Sequence, residues 1–126
     1  MGEYTDKAKD HFMNPRNVGK VDDPDGMADV SSMACGDALK LTFRVDEHER
    51  IIDAKCEVAG CVSSIASASA LTEIIKGLTI EEAMNITDRH IADYLGGLPP
   101  GKTHASAMSQ EALEKAIEWY KKAFSL

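Results

Sequence analysis

An α+β domain, a small antiparallel sheet with helices packed on one face, is predicted from three observations. Two stretches in the first half alternate apolar and polar residues around a polar turn, as hairpin strands do. The second half carries apolar residues at helical spacing. Strands come first and helices after, the order expected of a segregated sheet and helical layer. At 126 residues, with no linker-like tract or internal repeat, residues 1–126 read as a single domain large enough to bury a core without disulfides.

The elements follow in order. Thr5 is a helix N-cap, residues 5–13 form a short helix, and Asn14-Pro15 ends it. Residues 14–27, rich in Pro, Gly, Asn and Asp, read as loop. Residues 28–33 suit a third strand. Leu39, Leu41, Phe43 and Val45 alternate with Lys40, Thr42 and Arg44, and Asp46 to Glu49 form a turn. Ile52, Ala54, Cys56 and Val58 then alternate with Asp53, Lys55 and Glu57, so the first set points to the core. Residues 62–76 present Ile65, Ala68, Leu71, Thr72 and Ile75 on one helical face, and the small run Ser63 to Ala70 allows close approach to the sheet. Gly77 caps this helix. Thr79 with Glu82 forms a capping box, and Thr87 or Asp88 opens a helix that ends near Gly96-Gly97. After a rigid Leu98-Pro99-Pro100-Gly101 turn, a helix over 107–124 buries Leu113, Ala116, Ile117, Tyr120 and Phe124.

Composition narrows the function. A net charge of −7 argues against general nucleic-acid binding, which draws on excess Lys and Arg. No apolar run has the length of a membrane span, and the charged N-terminus lacks a secretory h-region. Three cysteines, an odd number, argue against a disulfide framework and for a reducing, cytoplasmic setting. A Gly-rich phosphate loop and a Gly-x-Ser-x-Gly elbow are both missing.

The residues that carry chemistry lie in three places. Cys35 and Asp37, in Ala-Cys-Gly-Asp, are two apart and share one side of an extended chain. Read alone, that tetrapeptide suits an exposed turn nearly as well as a chelate. Cys61 follows Gly60 at a strand-to-helix junction, where helix N–H groups and dipole favour a thiolate; an ordinary packed helix start is the alternative. His104 follows the Pro-Pro turn, where an exposed polar residue is the alternative. Two thiols, a carboxylate and an imidazole make a four-ligand set for a soft or borderline metal. A Cys61–His104 nucleophile pair is the enzymatic alternative, but it leaves Cys35 and Asp37 without a role. Cys56, in phase with the core, reads as a small hydrophobe, and His11, His48 and His90 read as surface residues.

Several longer motifs are specific. Asp10-His11-Phe12-Met13-Asn14-Pro15-Arg16-Asn17-Val18-Gly19, Ala34-Cys35-Gly36-Asp37, Gly60-Cys61 with Ser63-Ser64-Ile65-Ala66-Ser67, and Leu98-Pro99-Pro100-Gly101-Lys102-Thr103-His104 occur in this order over nearly the whole chain. Together they resemble the NifU/IscU-type scaffolds for iron–sulfur cluster assembly. The lack of a long insertion before the final motif favours that branch over SufU.

The resemblance implies a non-enzymatic scaffold that receives sulfur from a cysteine desulfurase and iron from a donor. It implies a transient [2Fe–2S] cluster passed to acceptor apo-proteins, with Zn²⁺ often bound at the same site in isolated protein. Carried over, Cys35, Asp37, Cys61 and His104 match ligand positions, and Asp37 is implied to keep the cluster labile, since a hard carboxylate suits cluster iron less well than thiolate. Leu98, Pro99, Pro100 and Lys102 match the segment contacted by an Hsp70-type chaperone, which works with a co-chaperone; Gly101 stands where the family has valine. Val62 stands where glycine is usual. Ala105 stands where the family has a third cysteine, which can neither ligate metal nor carry sulfur as alanine. That loss raises a second reading, a degenerate member that binds Zn²⁺ or regulates the desulfurase.

Overall fold

The computed structural model describes residues 3–32 and 36–124. Its elements run α1 (Asp6–Met13), β1 (Gly26–Ser32), β2 (Asp37–Val45), β3 (Ile51–Ala59), α2 (Val62–Ile75), α3 (Ile80–Ala83), α4 (Asp88–Tyr94) and α5 (His104–Phe124). The sheet is antiparallel in the order β1-β2-β3. Leu39, Leu41 and Phe43 of β2, with Ala54 and Cys56 of β3, are buried on one face. α5 lies across β1 and β2, α2 lies across β3, and the two helices touch each other, giving the segregated layers that the patterning predicts. α1 packs on α2, and α4 packs on α5 and α2.

Residues 17–21 finish the other side. The Cys56 N–H bonds Asn17 O and the Gly19 N–H bonds Cys56 O, each at 2.9 Å, which satisfies part of the outer edge of β3. The Val21 N–H then reaches Thr42 Oγ1 at 2.9 Å, so Thr42 is buried on the face where Lys40 and Arg44 are exposed.

Four expectations change. β1 begins at Gly26, inside the stretch expected to be loop; a side chain at Gly26 would collide with the Phe43 ring, so this glycine makes room in a strand rather than marking a turn. Ile52 does not point to the core and is 53% exposed. A bulge pairs Arg44 with Asp53 but Val45 with Ile51, so Ile52 is the extra residue and Ile51 takes the core position. α5 starts at His104, three residues earlier than expected, because the turn runs straight into helical bonds from Ala105 N–H to Lys102 O and from Ala107 N–H to Thr103 O, each at 3.2 Å.

The fourth concerns His11, which is buried rather than on the surface. Its Nδ1 lies 2.8 Å from Ser69 Oγ and its Nε2 lies 3.4 Å from Glu73 Oε1. Tyr94 meets the imidazole edge-on and donates its hydroxyl to the same Glu73 oxygen at 3.1 Å. The Arg16 N–H also bonds Ser69 Oγ, at 2.9 Å, and Asn17 Nδ2 bonds Thr72 Oγ1 at 3.1 Å. The N-terminal motif is therefore a clasp that fastens α1 and the following chain to α2. His11 shares the inward face of α1 with Ala8, three residues earlier, a pairing that an eight-residue helix shows too briefly to read from pattern.

The other local signals hold. Thr5 caps α1 through the Ala8 N–H at 3.0 Å, and capping boxes open α3 at Thr79 and α4 at Thr87. Asp46 closes the hairpin by accepting from the His48 and Arg50 N–H groups at 2.9 Å. Leu113, Ala116, Ile117 and Tyr120 are buried on α5, while the side chain of Phe124 lies outside the described residues.

Candidate metal site

Three elements meet at one end of the sheet. Asp37 opens β2 and has the inward phase of Leu39, so its carboxylate turns under the helical layer and is only 2% exposed. Cys61 is the N-cap of α2, in extended conformation, with its sulfur turned toward Asp37 and the first-turn serines. His104 opens α5. The ligand atoms of Asp37, Cys61 and His104 all lie within 4.8 Å of one another. Cys35 and its neighbours 33 and 34 lie outside the described residues; only Gly36 separates Cys35 from Asp37 in the chain.

Asp37 Oδ2 is the hub. Cys61 Sγ lies 3.8 Å from it and His104 Nε2 lies 3.7 Å from it. The second distance is too long for a hydrogen bond, and Nε2 is buried with no hydrogen-bond partner among the described residues. A buried ring nitrogen left in that state is costly unless something else meets it. A tetrahedral ion with bonds of about 2.0–2.3 Å spaces its ligands about 3.3–3.8 Å apart. The two distances from Asp37 Oδ2 are therefore at the upper end of the spacing of ligands about a shared cation, and an imidazole, a thiolate and a carboxylate are a chemically suitable set.

Two serines complete the surroundings. Ser63 Oγ is 3.1 Å and Ser64 Oγ is 3.2 Å from Cys61 Sγ, and the Ser64 hydroxyl also makes a short hydrogen bond to Asp37 Oδ2. Burial alone would push the Cys61 thiol up. The Ser63 and Ser64 hydroxyls and the Ser64 N–H outweigh it and bring the thiol down to about 7. Gly60 is also needed, because a Cβ there would come within 2.5 Å of Asp37 Oδ1. Sequence patterning assigned Ser63 and Ser64 to close helix packing. Their positions two and three after Cys61, at the predicted strand-to-helix junction, are the available signal of a second role.

Cys56 behaves as expected: it is buried on β3, and desolvation pushes its thiol up to about 12. Ala105 is fully buried beside His104. In the Pro-Pro segment, Leu98 packs against the core and Pro99 is buried, while Pro100 and Gly101 form an exposed corner closed by the Lys102 N–H to Pro99 O at 3.1 Å. Gly101 has φ +83°, the left-handed geometry that the third position of such a turn requires. An apolar groove of about 420 Å³ between α3 and α5, lined by residues including Met84, Ile86, Leu113 and Ile117, shares no residue with the metal site.

Residues 3–125 match the family model described as the NifU-like N terminal domain. The chain is similar to nitrogen fixation protein NifU of Trichormus azollae, at 48% identity over 96% of this chain and 43% of that protein. It is also similar to iron–sulfur cluster assembly scaffold protein IscU of Azotobacter vinelandii, at 48% identity over 94% of each, and to IscU 1 of Archaeoglobus fulgidus, at 47% over 93% of this chain and 76% of that one. The chain spans less than half the length of the NifU proteins it matches. Among solved structures, a NifU-like N-terminal protein from Brucella abortus superposes with a TM-score of 0.75 at 20% identity, covering 95% of each chain. A SUF-system scaffold candidate from Fervidobacterium islandicum AW-1 gives 0.75 at 23%, covering 92% of this chain and 97% of that one. These two likenesses bear on the fold.

Proposed function

The chain belongs to the NifU/IscU family of iron–sulfur cluster assembly scaffolds, and we propose that it holds an iron–sulfur cluster as cargo at the site of Asp37, Cys61 and His104, with Cys35 as the further ligand. The observation that carries this reading is the convergence of three donors from three elements around Asp37 Oδ2, with the buried His104 Nε2 unpartnered among the described residues. A carboxylate among the ligands suits cargo that must leave, because oxygen holds cluster iron less firmly than thiolate.

The cluster is a [2Fe–2S] unit in this reading. Sulfur comes from a cysteine desulfurase, iron from a donor, and the product passes to acceptor apo-proteins in the cytoplasm. The protein's own part is to bind, orient and release; no catalytic group is invoked. The exposed Pro100-Gly101 corner, with Leu98, Pro99 and Lys102 around it, is the segment an Hsp70-type chaperone and its co-chaperone would address. Among the described residues no helix is long and apolar enough to cross a membrane.

Ala105 supports a second reading, in which the site holds Zn²⁺ or the protein regulates the desulfurase. A methyl group stands where a thiol would complete the set, and the buried Cys56 thiol, held near 12, is no substitute. Anaerobic reconstitution with iron and sulfide separates the two. Sulfide-to-iron charge-transfer bands, lost in Cys61→Ala, are expected for the scaffold. Tight Zn²⁺ binding without those bands would replace it with the second reading. Ala105→Cys then reports whether sulfur acceptance from the desulfurase is impaired in the present chain.

A further inference from the structure

We propose that Ser64 is the positioning residue that holds Asp37 in ligand geometry, so that the site takes a metal ion without rebuilding. The inference rests on the reading of Asp37, Cys61 and His104 as ligands.

Ser64 lies in the first turn of α2 and is fully buried. Its hydroxyl donates to Asp37 Oδ2, the oxygen that His104 Nε2 and Cys61 Sγ also face. The bond ties the start of β2 to the start of α2. Without it, the contacts left to Asp37 Oδ2 are Cys61 Sγ at 3.8 Å and His104 Nε2 at 3.7 Å, which are too long to fix which carboxylate oxygen faces the site. With it, one oxygen is aimed at the meeting point of the three donors. A carboxylate oxygen has more than one lone pair, so the hydroxyl can stay on Oδ2 while a cation takes another direction. Hydrogen bonds that orient a ligating carboxylate in this way typically carry a 10–100-fold share of metal affinity.

Ser63 provides the internal control. Its Oγ is 3.1 Å from Cys61 Sγ, nearly the 3.2 Å of Ser64, but its side chain bonds the thiol and not Asp37. Loss of either hydroxyl removes one bond from the sulfur. Loss of Ser64 alone also releases the carboxylate.

Titration of the full chain with Co²⁺ under anaerobic conditions, followed through its thiolate charge-transfer and d–d bands, tests this. Ser64→Ala is expected to weaken Co²⁺ binding by about 10–100-fold, and by clearly more than Ser63→Ala, which removes only a bond to the sulfur. Equal affinity of Ser64→Ala and the parent would overturn the role of Ser64 and leave the site intact. So would tighter binding by Ser64→Ala, or an equal loss in Ser63→Ala. If the parent chain bound no Co²⁺, the site and this inference would fall together. Should Ser64→Ala not fold, NMR of the parent decides. A Ser64 hydroxyl proton protected from exchange, coupled to the Asp37 carboxyl carbon before and after one equivalent of Zn²⁺, is expected; its absence overturns the proposal.

Discussion

The two ends of α2 carry nearly the same side chains to opposite effect. At its C-terminal half, the His11 imidazole meets Ser69 and Glu73, and its ring nitrogens are 2.8 and 3.4 Å from those partners. At its N-terminus, His104, Ser64 and Asp37 stand with Cys61, but His104 Nε2 is 3.7 Å from the carboxylate and unpartnered among the described residues. A histidine, a serine and a carboxylate thus make a closed clasp in one place and an open socket in the other. Composition does not separate them; completeness of hydrogen bonding does. A satisfied buried network specifies structure, whereas a buried ring nitrogen without a partner, as His104 Nε2 is among the described residues, leaves a position that a ligand can meet.

The sharpest contrast to test involves the two described thiols. With Cys61 near 7 and Cys56 near 12, the thiolate fractions at pH 8 differ by roughly 10⁴. Alkylation of the native protein should label Cys61 with a rate midpoint near pH 7 and leave Cys56 unmodified until the chain unfolds. Comparable rates at the two cysteines would remove the distinction between an activated site thiol and a core thiol.

Replacing each histidine by alanine should give opposite results. His104→Ala is expected to lower Zn²⁺ or Co²⁺ affinity by at least about 100-fold, with little change in the melting temperature of the metal-free protein, since it removes a ring nitrogen that has no partner among the described residues. His11→Ala should leave metal affinity within about threefold and destabilise the fold by about 2–3 kcal/mol, through a cavity and an unpaired Ser69–Glu73 pair. Exchange of those two phenotypes would mean that the clasp and the socket are misassigned.

Gly60→Ala is expected to act on the socket alone. The new Cβ must displace Asp37, so metal affinity should fall by about tenfold, with a stability cost of about 1–2 kcal/mol. Isothermal titration and urea unfolding report the two quantities separately.

The smallest effect is in pH dependence, and it divides between the same regions. Burial is the main cause that holds the His11 pKa below its ordinary 6.5; the Arg16 guanidinium adds to it, and Glu73 and Asp10 oppose it. The unfolded chain then binds the proton more tightly. Stability from His11 is complete above about pH 6.5 and lost as pH falls toward the lowered value. Cys61 works in a higher window. Its thiol is lowered from 9.0 to about 7, so its contribution is complete above pH 9 and lost as pH falls through 7. Urea midpoints across pH 5–9 should show both windows, with His11→Gln flattening the lower and Cys61→Ala the upper.

Period and capping chemistry are local properties, and they made most of the fold legible. The alternation of Leu39, Leu41 and Phe43, the caps at Thr5, Thr79 and Thr87 and the inward stripe of α5 act within a few residues of themselves. The same holds for Asp37, Cys61 and His104 as candidates, since each marks the start of an element. Their meeting was legible only through resemblance, because it joins positions 37, 61 and 104. What tertiary structure decided was which polar groups end with partners. The Ile52 bulge depends on how β3 registers against β2, the burial of His11 depends on α2 and α4 lying beside α1, and the grip of Ser64 on Asp37 depends on β2 and α2 starting side by side. Hydrogen-bond satisfaction is a property of neighbours in space. A chain of residues shows which groups need partners, and only the packed molecule shows that the need of His11 is met while His104 Nε2 has no partner among the described residues.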